Sequence, residues 1–452
     1  MKKILAVSIL STFAFGFMIN PACAILEKKV DKQTQQTTIL DHVNFDWWKK
    51  QNDEHLEKYI VSAINNNYDI KTAALKIEQA RINVTATRAG QLPTLSVGAS
   101  PFLTKMPDST KSEGSFAIPI MAQWELDLFG KNWDKTKSSK KLLKSVEYQT
   151  QASNIAIVSM VATAYYNIVK LDKLIELQED LTKDREEIYN LMKLSNQEGI
   201  VSTSDLILAE KSFVMSQNEL IDYQKARQNA LNALAVLIGD SPNNTTEYKR
   251  ISADELSVDF NIPDEISSEI ITNRPDYKSL ESQLEAAGLD VRVAKKEFLP
   301  TINILGALAF IATSASSSLS WDNALALLGG SANLPLFTGF AKTANLKLNK
   351  NKYEQIVNQY QKTNLVAIQE VNDSLYNLKS DKEKLDNNTK ALNIQEKDYE
   401  YSKSKYEQGI ISKLDLLQQK ETLLYMQKLL TSSKTECHID KISLYKTTGA
   451  KI

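Results

Sequence analysis

Few residues in this chain could carry chemistry. Histidine occurs three times, as His42, His55 and His438, and cysteine twice, as Cys23 and Cys437. The histidines are too scattered for a metal site, and no CxxC or HExxH spacing occurs. No GxGxxG or Walker loop offers a phosphate cradle. No Ser, His and Asp set suggests itself for nucleophilic catalysis. Asp and Glu are abundant, but on helices of this composition they read as solvated faces. The expectation is a protein with no catalytic, cofactor-binding or metal-binding residues. Cys437 reads as a small helix-packing residue.

Cys23 has a chemical reading of another kind. Met1-Lys2-Lys3 is a basic start, Ile4 to Ile19 an apolar run, and Pro21 a helix stop. Residues 1–24 therefore read as a secretory signal peptide. Two endings stay open. Ala22-Cys23-Ala24 fits cleavage after Ala24, or Cys23 becomes a lipidated N-terminus. Beyond the signal, no run of 18 uncharged apolar residues predicts a transmembrane helix.

The positioning elements are mostly helical. With 54 basic and 55 acidic residues the formal charge is −1, which gives nucleic acid no basic surface to meet. Only 14 Gly and 10 Pro punctuate 452 residues. From Lys135 to Glu198, and from Lys342 to Gln408, neither occurs. A helix over the first stretch spans about 95 Å. Ile155, Val158, Ala162, Tyr165, Tyr166 and Val169 recur at helical spacing as a packing seam, as do Leu414, Leu417 and Leu424.

The chain is duplicated. LPTLSVGASPFL from Leu92 is echoed by LPTINILGALAF from Leu299, 207 positions on. QEGIVSTSDL from Gln197 is echoed by EQGIISKLDL from Glu407, at an offset of 210. The repeats cover 25–250 and 251–452. Each predicts a strand pair (about 94–128 and 300–337). Each then predicts a helical hairpin (about 135–236 and 342–448) turning at Gly199 or Gly409. Ser202, Thr203, Ser204 and Ser412 are candidate N-caps for the return helices.

The strands alternate. Phe116, Ile118, Ile120, Ala122, Trp124, Leu126 and Leu128 share one face, with Gln123, Glu125 and Asp127 on the other. Their length suits a tilted membrane strand. Trp124 and Trp321 suit an interfacial girdle. Four strands cannot close a barrel, and an open edge is not viable in lipid. Several chains must pool their strands, and three would supply twelve.

With these features assembled, the chain resembles the TolC-like outer-membrane efflux factors, more closely the OprM/NodT-like branch. The resemblance covers about residues 45–448. It rests on Trp47-Trp48 followed by Leu56, on WELDLFGK from Trp124, and on Asn273-Arg274-Pro275-Asp276. FLPT from Phe298, Leu334-Pro335-Leu336-Phe337 and YEQGIISKLDLL from Tyr406 complete it. It implies a mainly α fold with membrane β: a homotrimeric 12-strand outer-membrane barrel continued by a periplasmic helical barrel. It implies a passive duct in the outer membrane of a Gram-negative bacterium, needing no cofactor. The implied partners are outer-membrane lipid, a periplasmic adaptor and, through it, an inner-membrane pump.

The resemblance also assigns a gate at the periplasmic tips. Tyr406 matches the gate tyrosine and Asp205 its aspartate partner. Leu414 matches a hydrophobic constriction, and Asp415 the first of two pore-facing aspartates, whose mutual repulsion in a trimer would raise their pKa values. Gln418 stands where the second aspartate is usual, and Ile411 where a TolC-type arginine is usual. The alternatives are a type I protein-secretion channel, a periplasmic adaptor and an envelope coiled-coil protein.

Overall fold

The structure is a computed structural model that describes residues 53–104, 113–258, 262–263, 266, 268–312 and 320–449. The expected signal segment, Cys23 and Trp47-Trp48 lie outside the described residues.

Two helices set the scale. α3 (Lys131–Gln197) and α7 (Ala341–Glu407) each run 67 residues, about 100 Å. Each turns back into a shorter helix, α4 (Thr203–Ile238) or α8 (Lys413–Thr447). Near the sheet the neighbours change. There α2 (Tyr68–Ala89) packs on α3, and α6 (Pro275–Lys296) packs on both α3 and α7. The tip half is a row α4–α3–α8–α7, and the sheet half a row α2–α3–α6–α7. α1 (Glu54–Asn66) lies against α3 and α4, and the short α5 (Ser268–Thr272) against α7.

Two joints let one helix follow another. At the first, the Asn67 side chain caps α2 by accepting from Asp69 N at 2.8 Å and Ile70 N at 3.1 Å. Its amide donates to Leu237 O at the end of α4, at 2.8 Å. Gly239 closes α4 at φ 73°, and a Cβ there would sit 2.6 Å from Asn66 O, so only glycine fits. At the second joint, 207 residues on, Arg274 Nη1 donates to Thr447 O at the end of α8, at 3.1 Å. The same guanidinium holds Asp276 and Glu370, each at 2.7 Å. The Arg274-Pro275-Asp276 run thus starts α6, as expected, and also receives the carbonyl end of α8.

The core lies between the joints. Ile155, Val158, Ala162, Tyr165, Tyr166 and Val169 are all buried, as their spacing predicts. Leu56 and Ile60 of α1, Leu234 of α4 and Ile442 of α8 are buried too. Cys437 is a buried free thiol, and His438 stacks on Tyr166 with centroids 4.9 Å apart. One difference from expectation arises here. α3 holds an 18-residue stretch of mean hydropathy 1.3, long and apolar enough to cross a membrane. Its burial, 61% within the chain, accounts for that composition without lipid.

The sheet is antiparallel. β3 (Glu113–Leu126) and β4 (Thr301–Ala312), one from each repeat, pair at the centre. β5 (Ala324–Asn333) flanks β4. The first strand is split into β1 (Thr94–Val97) and β2 (Ser100–Thr104), both on β3. Pro119 of β3 accepts from Gly98 N at 2.9 Å but has no N–H to give in return, and the first strand divides at Gly98 and Ala99. The strands end before the predicted limits of 128 and 337. Asp127 turns out of the sheet to cap α3, accepting from Asn132 N at 3.1 Å and Trp133 N at 2.7 Å. Pro335 has no donor with which to extend β5. Trp124 lies at the helical end of the sheet and Trp321 at the far end, the latter edge-on to Phe310. That is the placement expected of an aromatic girdle.

Arg274→Met is expected to cost about 1–3 kcal/mol, because it leaves the buried Thr447 O without its donor, while Asp276 and Glu370 stay in contact with water. The check is a lower midpoint for loss of far-UV ellipticity on heating. Arg274→Lys should recover only part, since an ammonium cannot reproduce the fork.

Candidate functional site

Both tips are built the same way. α3 ends in a Schellman turn, with Ile200 N bonded to Ser195 O at 2.8 Å and Gly199 at φ 70°. α7 repeats it, with Ile410 N bonded to Lys405 O at 2.9 Å and Gly409 at φ 73°. No atom lies within 4 Å of a Cβ placed on either glycine. The backbone angle alone requires glycine here.

Each return helix opens with a capping box. Ser202 is the N-cap of α4, and Asp205 N donates to its hydroxyl at 3.1 Å. The Asp205 carboxylate accepts from the Ser202 hydroxyl at 2.7 Å and from Ser202 N at 3.3 Å. In α8, Asp415 and Ser412 reproduce this at 3.2, 2.7 and 3.0 Å. The Ser412 hydroxyl, and then its backbone N–H, hold the Asp415 carboxyl below its ordinary value. This is opposite in sign to the shift expected from a ring of like charges. Within one chain, local hydrogen bonding keeps Asp415 ionised.

The other site residues group loosely. Leu414 is half-buried, while Tyr406, Asp415 and Gln418 are exposed. Asp205 is also exposed and hydrogen-bonds within its own turn. α4 and α7 lie at opposite ends of the row, so one chain does not bring Asp205 to Tyr406.

Sequence reasoning missed the ladder that ties α8 to α3. Lys413 reaches Glu187. Lys420 Nζ meets Asp184 Oδ1 at 2.7 Å, and Arg185 Nε meets Glu421 Oε1 at 3.0 Å. Deeper, Lys428 donates to the buried Gln178, whose amide donates to Ser216 O on α4 at 2.9 Å. Burial pushes the Lys428 ammonium below its usual value. Beside it is a cavity of about 520 Å³, walled by Leu181, Glu219, Tyr223 and Tyr425. The charges were visible as residues. Their pairing was not, because neither helix announces its neighbour.

Asp184 is buried, and burial raises its pKa against the pull of Lys420. Lys420→Met is therefore expected to cost about 1–3 kcal/mol. Hydrogen–deuterium exchange should quicken in 180–190 and 413–424. Lys420→Arg should not change it, and unchanged exchange in Lys420→Met would mean that the contact does not hold α8.

The family model for "outer membrane efflux protein" matches residues 59–240 and 266–450. The chain is 27% identical over 411 residues to the probable efflux pump outer membrane protein TtgC of Pseudomonas putida strain KT2440. That match covers 89% of this chain and 84% of the relative. It is 23% identical over 398 residues to the cation efflux system protein CusC of Escherichia coli K12, covering 88% and 87%. In structure it is similar to the Campylobacter jejuni CmeC outer membrane channel. The TM-score is 0.82 at 25% identity, over 89% of this chain and 87% of that one.

Proposed function

Because the chain belongs to the outer membrane efflux protein family, we propose that it is a passive homotrimeric duct, with its sheet in the outer membrane and its tips toward the pump. The observation that carries the reading is the pair of open sheet edges. β1 and β2 lie at one edge and β5 at the other. Lipid has no water to bond their free N–H and C=O groups, so other copies must. Three chains give twelve strands and, at both levels of the helical row, twelve helices. An adaptor meets the tips and links them to an inner-membrane pump, which supplies the energy and selects the cargo. The cargo is small toxic compounds.

Native mass spectrometry in detergent should find three chains, and loss of the gene should sensitise cells to several unrelated compounds. A membrane-inserted monomer would sink the architecture. Loss of one secreted protein with unchanged susceptibility would instead favour the type I secretion channel.

At the mouth, α4 and α7 of adjacent chains become neighbours, which brings Asp205 toward Tyr406 across the interface. Leu414 forms the apolar constriction, and Asp415 a ring of three carboxylates. Gln418 leaves this mouth with one such ring. Rings of Asp hold cations. In planar bilayers, a trivalent cation added from the tip side should block the channel. Asp415→Asn should weaken the block at least tenfold, and Gln418→Asp should strengthen it. An unchanged blocking affinity in Asp415→Asn would place that carboxylate away from the pore.

A further inference from the structure

The start of α7 carries a residue its conformation disfavours. Phe340, the N-cap of α7, has φ 64° and ψ 1°. It is the one non-glycine residue with positive φ among the described residues. An L side chain is strained there by contact of its Cβ with the backbone. At the matching position of the first repeat, the N-cap of α3, stands Gly130 at φ 68°. Glycine would serve the second helix equally well. Phenylalanine gains little within the chain in return, because 74% of it is exposed. It meets Phe337 edge-on at 5.6 Å, and Phe337 is itself 77% exposed. Leu334 and Leu336 of the same turn are also exposed. A strained, exposed apolar cluster points to an occupant outside the chain.

Its place in the row selects the occupant. The turn 334–340 joins β5 to α7, and these form one edge of both the sheet and the helical row. The opposite edge is α2 followed by β1, joined by the turn 90–93. Each turn lies directly between its helix and its strand. Rings of one chain type close by placing one edge against the other. Strand pairing of β5 with β1 of the next copy therefore sets the two turns side by side. On the second turn and strand, Leu92 and Leu95 are 60% and 76% exposed. That turn is firmly held. Gln91 donates to Thr136 Oγ1 at 2.7 Å and to Asn132 O at 3.1 Å, and Trp124 Nε1 donates to Gln91 O at 3.0 Å. It presents Leu92 from a fixed backbone.

We infer that Leu334, Leu336, Phe337 and Phe340 dock on Leu92 and Leu95 of a second copy of this chain, locking sheet and helices of adjacent subunits at one level. This rests on the trimer reading above and adds to it a specific apolar lock. In the first repeat the corresponding turn, 127–130, lies in the middle of the row. It meets no neighbouring subunit, and there the conformationally easy glycine is kept. The two repeats differ where one lies inside the chain and the other at its edge.

The test uses the full chain purified from the outer membrane, in a Cys437→Ser background. Oxidation of Leu92→Cys/Phe340→Cys should give covalent trimers on non-reducing gels, and neither single variant should. Phe340→Gly should leave ellipticity intact while the detergent-resistant trimer dissociates at least tenfold faster on heating. Trimers by native mass with no crosslink in the double variant would overturn the lock and leave the trimer standing. A monomer by native mass would overturn the trimer reading itself. Crosslinking of Phe340→Cys alone would put these residues against each other instead. Strong quenching of Phe340→Trp fluorescence by brominated phospholipid would put the turn against lipid, and either result would overturn the inference.

Discussion

A backbone edge in hydrocarbon has no water to bond, and this chain has two such edges. The rest of its architecture follows from how they are carried. The four strand positions are too few to close, so the edges must be matched between copies, and anything attached to the edges must match as well. The helices obey this. α2 and α4 stand below β1, α7 stands below β5, and α3 with α6 and α8 fills the middle. Sheet and helices share one order from edge to edge, so a single rotation closes both. A different order in the helical half would bury one set of edges while exposing the other.

Length makes that order hard to keep. Two helices of about 100 Å cannot be held parallel by one core, and the buried apolar residues concentrate midway along α3. The joints do the remaining alignment. Each stacks the end of a return helix on the start of an upper helix, so two shorter helices track one long one. The duplicated joints use different chemistry at matched positions. Asn67 offers an amide and a cap, whereas Arg274 offers a fork with two carboxylates. A helix end has unsatisfied carbonyls in either case, and either donor answers them. The duplication therefore constrains what the joint must satisfy more tightly than which residue does it.

This explains what the sequence could and could not disclose. The tip glycines, the N-cap serines and the alternating strand from Phe116 were legible, because local backbone physics dictates them within a few residues. The long helices were legible from the absence of Gly and Pro. Arg274 was visible as a helix start but not as the partner of Thr447, 173 residues away. The ladder of Lys413, Lys420 and Arg185 depends on α3 and α8 lying together, which periodicity on each helix leaves open. Phe340 was hidden for another reason: its signal is a backbone dihedral angle, which residue type and spacing do not carry.

The tips show how a structural device and a pore device can occupy the same side chain. Asp415 closes the capping box of α8 and, in the trimer proposed above, lines the mouth. These roles act on its charge in opposite directions. Three carboxylates around one axis raise one another's pKa, whereas the Ser412 hydroxyl and N–H lower it. A bare ring would relieve its repulsion by taking up a proton, and its field would then fade near neutral pH. A capped ring resists that, because protonating the carboxylate weakens the two bonds it accepts from Ser412. Repulsion within the ring then has two remaining outlets, a bound cation or outward movement of α8. The second is opposed by the charged contacts of α8 with Glu187, Asp184 and Arg185. In that proposed trimer the capping serine would keep the electrostatic load on the mouth, and the ladder behind it would bear that load.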